Sequence, residues 1–125
     1  MLVDIDVLIW HLRGYPQATR RLDRLNPLTL SAATWLELLQ GMRSKAELVA
    51  VKQMLQQRRA ALLPITETIT QRAIALMEAL TLSHGLQLGD ALIAATALEL
   101  GLPVLTANTK HFEPVEGLAI EVFRI

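Results

Sequence analysis

Three acidic residues, Asp4, Glu37 and Asp90, have the chemistry and the sequence contexts expected of a divalent-cation site. Asp4 lies within an apolar run, where a buried carboxylate is unfavourable unless it is paired, hydrogen-bonded or bound to a metal. Carboxylates from separate segments are ligands that hard cations such as Mg²⁺ prefer. A cation there could polarise a phosphodiester, and a carboxylate could deprotonate the attacking water. The three acids therefore indicate phosphodiester hydrolysis.

Local structural roles could also explain several of these polar residues. Asp6 is placed to cap the helix predicted after it. Thr34 and Glu37 fit a capping box, and Asp90 would be favoured in a first helical turn by the helix dipole. Asn108 follows a predicted strand, where Asn is common in turns, although its carbonyl oxygen could also ligate a hard cation. Both kinds of role remain open from sequence alone.

Short apolar strands alternating with helices must position these residues. The predicted strands are Leu2–Ile5, Leu28–Ser31, Leu62–Ile65, Pro103–Thr106 and Ala119–Phe123. The predicted helices are Val7–Arg13, Gln17–Leu25, Thr34–Arg43, Lys45–Arg59, Thr68–Ser83 and Asp90–Leu100, the last ended by Gly101 as a C-cap.

This alternation predicts an α/β fold with a short, mainly parallel central sheet. Ligands of such open sheets bind beyond the carboxyl ends of the strands. Because Asp4 and Asn108 follow strands and Glu37 lies in a helix that follows one, we expect these side chains to meet at a single sheet edge.

Length and composition limit the possible classes. The 125 residues suit one domain spanning residues 1–125. The absence of cysteine excludes disulfides and Cys-ligated zinc or iron–sulfur sites. The N-terminal segment lacks the basic start of a signal peptide, and Asp90, Glu99 and Pro103 interrupt the apolar stretch 86–105, so we expect a cytoplasmic protein without a membrane span. The 52% hydrophobic content hints at apolar surface that a partner covers.

Charge is distributed unevenly although the formal net charge is zero. Residues 1–72 hold ten basic and six acidic residues, a net of +4, and the remainder holds two and six, a net of −4. Arg13, Arg20, Arg21 and Arg24 cluster with one acid, Asp23, among them. The cluster could bind a polyanion or form a solvated helix face.

Four segments together resemble the PIN-domain family, and within it the small VapC-type toxins of bacterial toxin–antitoxin pairs. They are MLVDIDVLIW, SAATWLELLQG, LQLGDALIAATALELGLPVLTANTKHF and VEGLAI, in the family's order and over nearly the whole chain. The resemblance implies a three-layer α/β/α sandwich and a Mg²⁺- or Mn²⁺-dependent endoribonuclease. It also implies a homodimer that a cognate antitoxin silences by lying in the active-site groove.

The resemblance also assigns roles to individual residues. It makes Asp4, Glu37 and Asp90 the acidic metal-site residues, and it places Asn108 where many relatives have a fourth Asp. Supporting roles fall to Asp6, where the family often has Asn or Ser, to Asn108, and to Thr106 as a hydrogen-bonding partner. Candidates for an apolar antitoxin surface, or for ordinary core packing, are Trp10, Trp35, Leu36, Leu39 and Met42.

Two other folds with acidic pockets fit less well. The segment Asp4–Asp6 resembles the Asp-x-Asp of haloacid-dehalogenase-like phosphatases, but Val7 and Leu8 replace the Gly-Thr that should follow. A response-regulator receiver would need an Asp after the third strand, where this chain has Thr66. Both alternatives therefore lack a required residue.

The strongest competing hypothesis is a catalytically weak PIN fold that binds RNA or protein without cleaving it. The neutral amide of Asn108 and the zero net charge favour this alternative, whereas the three retained acids argue against it. Ser-His-Asp catalysis is disfavoured because His11, His84 and His111 have no nucleophile signature near them.

Overall fold

The computed structural model describes residues 1–125. The strands are β1 (Leu2–Val3), β2 (Thr29–Ser31), β3 (Ala61–Leu63), β4 (Val104–Thr106) and β5 (Ile120–Val122). The helices are α1 (Ile5–Leu12), α2 (Pro16–Asp23), α3 (Ala32–Gln40), α4 (Lys45–Gln57), α5 (Glu67–His84) and α6 (Leu88–Leu100). A 3₁₀ turn, Thr109–His111, follows β4.

The five strands form one entirely parallel sheet in the order β3-β2-β1-β4-β5. The expectation of an α/β fold with a short parallel sheet is therefore confirmed. Because all strands run the same way, the residues after β1, β2 and β4 lie along one edge of the sheet. This shared edge brings the candidate site residues into one region.

Apolar side chains cover both faces of the sheet, as expected of a three-layer sandwich. Val3 packs in a cluster with residues of α1, α2 and α3, whereas its neighbour Leu2 packs in a second cluster with α6 and the loop after β4. A third cluster between α5 and α6 includes Ile69 and Ala73 of α5. The interior of α6 is buried, and it ends at Gly101 with a left-handed φ of 65°, as predicted.

Two predicted helix starts were wrong because the N-cap is the residue directly after β1 and the last residue of β2 itself. Asp4 caps α1, so β1 ends at Val3 and Asp6 lies inside the helix instead of capping it. The Ser31 Oγ accepts the Ala33 N–H at 3.0 Å, so α3 begins before Thr34. Thr34 is consequently buried within the helix, and the capping box predicted for Thr34 and Glu37 does not form.

The remaining differences are small shifts at element ends. The first turn of α6 begins two residues before Asp90, with Gln87 as the N-cap. In α2, Pro16 occupies the first helical position, where its missing N–H has no intrahelical role. None of the six helices is long and apolar enough to cross a lipid bilayer.

Candidate functional site

Asp4 is the most buried acid of the chain and is held on both carboxylate oxygens. The residue is only 5% exposed. Its Oδ1 accepts the Ile5 N–H at 2.8 Å, and its Oδ2 accepts the Thr106 hydroxyl at 2.8 Å. Since β1 and β4 are neighbours, the hydroxyl that ends β4 reaches the carboxylate that follows β1.

Asp6 also points toward the end of β4. Its Oδ2 accepts the Ala107 N–H at 3.0 Å and lies 3.3 Å from the Thr106 hydroxyl oxygen. Its Oδ1 is buried and has no hydrogen-bond partner. A buried, unpartnered carboxylate oxygen is costly and therefore calls for a ligand that the protein itself does not supply.

The Thr106 hydroxyl is the centre of this hydrogen-bond network. It is fully buried, it faces both aspartates, and it accepts the Asn108 N–H at 2.9 Å. Asn108 thus contributes its backbone N–H, while its side chain is exposed at the start of the 3₁₀ turn.

Glu37 and Asp90 approach each other where α3 packs on α6. A Cβ built on Gly89 would lie 2.6 Å from Glu37 Oε1, so the Glu37 carboxylate rests against the backbone beside Asp90. Asp90 Oδ2 lies 3.3 Å from His111 Nδ1. Sequence reasoning had set His111 aside, although its position three residues after Asn108 in the same loop could have indicated this contact.

Burial raises the pKa values of all four carboxylates, and repulsion from a neighbouring carboxylate adds to the rise at Asp4, Glu37 and Asp90. Burial and then the nearby charge of Asp6 raise the pKa of Asp4 to about 6. Burial raises the pKa of Asp6, and burial together with Asp90 raises the pKa of Glu37. Burial also raises the pKa of Asp90, against a lowering effect of His111. Four acids that each disfavour ionisation are typical of a site awaiting a cation.

The side chains fit a hydrated divalent cation better than a fully enclosed one. No three His, Asp or Glu side chains lie close enough together to form a ready-made metal cage. Mg²⁺, however, usually keeps several waters and binds through one or two carboxylates. The unpartnered Asp6 Oδ1 and the oxygen-only donor set are both compatible with such an ion.

We expect the metal-free protein to lose stability as the pH rises, because Asp4 binds its proton more tightly in the folded state. Its folded pKa of about 6 exceeds the unfolded value of 3.8. The stabilisation is complete below pH 3.8 and is lost as the pH rises through 6, amounting to about 2–3 kcal/mol. Urea unfolding in EDTA should therefore show Asp4→Asn to be more stable than the parent protein by about that amount at pH 7.

The difference in the free energy of unfolding between Asp4→Asn and the parent protein should vanish towards pH 4. Asn is as good an N-cap as Asp, so the variant keeps the start of α1. A stability difference that does not change with pH would contradict the raised pKa of Asp4.

Comparison with known proteins places these features in a family. A model of the PIN domain matches residues 1–118. Ribonuclease VapC10 of Mycobacterium tuberculosis is 42% identical to this chain, and the match covers 94% of the chain and 90% of that protein.

Solved structures show the same relationship. A toxin–antitoxin complex from Klebsiella pneumoniae contains a chain with a TM-score of 0.81 and 27% identity, and the match covers 99% of this chain and 98% of that one. The DNA-bound VapBC from Salmonella typhimurium gives a TM-score of 0.80 and 26% identity, covering 97% and 96%. With its parallel sheet and its acids at one sheet edge, the chain belongs to the PIN-domain family.

Proposed function

We propose that this protein is a divalent-metal-dependent endoribonuclease and the toxin of a toxin–antitoxin pair. The 42% identity to a ribonuclease supports RNA cleavage, and the similarity to chains of toxin–antitoxin complexes supports the biological role. The observation that carries the chemistry is the meeting of four carboxylates with raised pKa values, one with an unpartnered buried oxygen.

In the proposed site, Asp4, Glu37 and Asp90 hold a hydrated cation, in part through its bound waters. The cation is Mg²⁺ or alternatively Mn²⁺. Asp6, Thr106 and Asn108 support them. When bound, the cation supplies Lewis-acid polarisation of the phosphodiester and stabilises the leaving oxygen.

The protein's own residues orient the reacting groups. The Thr106 hydroxyl and the Ile5 N–H fix both oxygens of Asp4, so this carboxylate keeps one orientation. Glu37 is the most accessible of the three acidic ligands, and its raised pKa makes it a better base than an ordinary glutamate. In this proposal its carboxylate accepts the proton of the attacking water.

The proposed partner is an antitoxin peptide, and a cleft of about 580 Å³ between α1, α3 and α4 suits it. Seven of its twelve lining residues are hydrophobic, Met42 among them, and Glu37 lies at its rim. A peptide there would obstruct the carboxylates. The other predicted groove residues do not line this cleft: Trp10, Trp35, Leu36 and Leu39. Leu36 is exposed, whereas Trp10 and Trp35 pack partly against the core. The family resemblance also leads us to propose a homodimer.

The proposed function is tested by RNA cleavage with purified protein. We expect a single-stranded RNA to be cut when Mg²⁺ or Mn²⁺ is added and to stay intact in EDTA. Metal addition should also raise the Tm, since a ligand that binds only the folded state stabilises it. Cleavage that persists unchanged in EDTA would contradict the metal-dependent mechanism.

A catalytically weak binding module is the second candidate. Asn108 adds no charge, and no three side chains form a preformed metal cage. This candidate would gain support if the protein bound RNA but cut none of a random-sequence pool at any Mg²⁺ or Mn²⁺ concentration.

We expect Gly89→Ala to lower cleavage without lowering stability. The new Cβ would meet Glu37 Oε1 at 2.6 Å and Cδ at 3.3 Å, so the flexible Glu37 carboxylate must move. Ala is also a better helix former than Gly, although in the first turn of α6 the gain is smaller than the ~1 kcal/mol of a helix interior. We expect about a tenfold loss of kcat with an equal or higher Tm, because such displacements of catalytic groups are costly.

Gly41→Ala is the matched control for Gly89→Ala. A Cβ at Gly41, the C-cap of α3, meets nothing closer than 3.7 Å. Unaltered kcat in Gly89→Ala would mean that the position of the Glu37 carboxylate is unimportant for cleavage.

A further inference from the structure

A second, basic cleft lies between α2 and β5, one of the two edge strands of the sheet. Its volume is about 540 Å³. Four arginines line it, from two separate parts of the chain: Arg20, Arg21, Arg24 and Arg124. Gln17 and Glu121 are its other polar residues.

The spacing of the residues in α2 builds one wall of this cleft. Positions 17, 20, 21 and 24 follow the i, i+3, i+4, i+7 pattern of a single helix face. Ala18 and Leu22, on another face of the same helix, are fully buried in the core. The core contacts thereby fix the rotation of α2, and the arginine face is turned toward β5.

Three of the four arginines are available to a ligand. Arg21 is held in place, because its Nη2 donates to Glu121 Oε2 at 2.8 Å and its side chain is only 13% exposed. Arg20, Arg24 and Arg124 are exposed and make no ion pair. The side chains of the cleft sum to a formal charge of +3 in a chain whose net charge is zero.

The strand that lines the cleft, β5, is paired with the strand that ends at Thr106, β4. Thr106 and Val122 are partners in the register of β4 and β5, and the Phe123 N–H donates to the Thr106 carbonyl oxygen at 2.8 Å. Thr106 is the residue whose hydroxyl holds Asp4. Arg124 therefore directly follows Phe123, whose backbone is hydrogen-bonded to Thr106.

We propose that this arginine cleft binds backbone phosphates of the RNA on one side of the scissile bond. The inference rests on the proposed ribonuclease function. Guanidinium groups bind phosphate oxygens through paired N–H donors and stay charged at any physiological pH. The cleft thus supplies the positive charge that the acidic site lacks, so a polyanion can reach the four carboxylates.

The test is RNA binding by the double variant Arg20→Gln/Arg24→Gln, measured by fluorescence anisotropy in EDTA. The probe is a labelled single-stranded RNA of about 12 nucleotides. Two lost phosphate contacts should weaken binding about tenfold and reduce the slope of log Kd against log salt concentration by about 1.4. With Mg²⁺ present, KM for the same RNA should rise while kcat is unchanged.

A charge-matched control is Lys45→Gln/Lys52→Gln, which removes two exposed charges from α4 instead. Equal weakening in both double variants would overturn the inference, because it would reduce the effect to net charge. Displacement of the RNA by a polyglutamate of equal charge at equal concentration would also overturn it, in favour of an acidic peptide.

The experiment separates this inference from the proposed function. If the parent protein cleaves RNA and Arg20→Gln/Arg24→Gln binds RNA as tightly as the parent does, the proposed role of the cleft is overturned and the nuclease function stands. If the double variant binds RNA more weakly than the parent but the parent cleaves no RNA with any metal, the role of the cleft is supported and the proposed nuclease function is overturned. An absence of RNA binding by the parent protein would overturn the inference directly.

Discussion

Asp90→Asn is expected to lower RNA cleavage at least 100-fold while leaving the protein folded. The substitution removes one negative charge from the proposed metal ligands and keeps the size of the side chain. Loss of a cation-holding charge removes transition-state stabilisation of several kcal/mol, which corresponds to a factor of about 10²–10³ or more.

Stability should respond to Asp90→Asn in the opposite way from activity. Asp90 repels Glu37, and its pKa is already raised, so its charge destabilises the metal-free fold. Against this gain stands the favourable effect of an acid near a helix N-terminus, worth about 0.3–1 kcal/mol. We expect an unchanged or higher Tm in EDTA, and the rise in Tm on adding Mg²⁺ should be largely lost.

Glu99→Gln is the control on the same helix. Glu99 pairs with Arg72 at 3.1 Å on a partly exposed surface, away from the other acids. Loss of this ion pair should lower the free energy of unfolding by less than about 1 kcal/mol and leave RNA cleavage unchanged. Equal cleavage by Asp90→Asn and the parent protein, at limiting Mg²⁺, would exclude Asp90 from the reaction.

The fold could be predicted from the sequence because each strand and helix carries its own signal. Short apolar runs separated by amphipathic or Ala-rich helices predicted a parallel sheet, and the five strands are entirely parallel. The errors lie at the junctions after β1 and β2. There Asp4 and Ser31 cap the following helices directly, so the helices begin earlier than their apolar patterns suggest.

The environment of Asp6 could not be predicted from local sequence. An acid just before an apolar helical run has the pattern of an N-cap, which is one of the two roles that the sequence left open for Asp6. Its actual partner, the Ala107 N–H, is 101 residues away along the chain and becomes adjacent only when β4 pairs with β1. A local sequence pattern can indicate a helix cap, whereas the contact between Asp6 and the loop after β4 depends on the order of the strands in the sheet.

The contacts of Glu37 and His111 could not be predicted from the sequence for a related reason. The proximity of Glu37 to Gly89 depends on the packing of α3 against α6, and a single sequence does not encode such a pairing directly. His111 meets Asp90 through the loop after β4. Residue types indicated a carboxylate site, but the orientation of each side chain required the three-dimensional structure.

Thr106→Val is expected to damage both stability and activity, because one hydroxyl serves several groups. Val has nearly the shape of Thr but cannot hydrogen-bond, so Asp4 Oδ2 loses a donor and the Asn108 N–H loses its acceptor. Leaving buried polar groups unsatisfied costs about 1–3 kcal/mol, and losing the partner of a metal-site ligand costs about 10–100-fold in activity.

The serine variant decides whether the Thr106 effect comes from the hydroxyl or from packing. Thr106→Ser removes a methyl group from a fully buried site but keeps the donor to Asp4. We therefore expect Thr106→Ser to lose stability while retaining most of kcat, and Thr106→Val to lose kcat and metal affinity together. Metal affinity is measured by the Mg²⁺ concentration that gives half-maximal cleavage, and it should be weakened about 10–100-fold in Thr106→Val alone. If both variants were equally active, the orientation of Asp4 would have to be fixed by the Ile5 N–H and the surrounding packing rather than by Thr106.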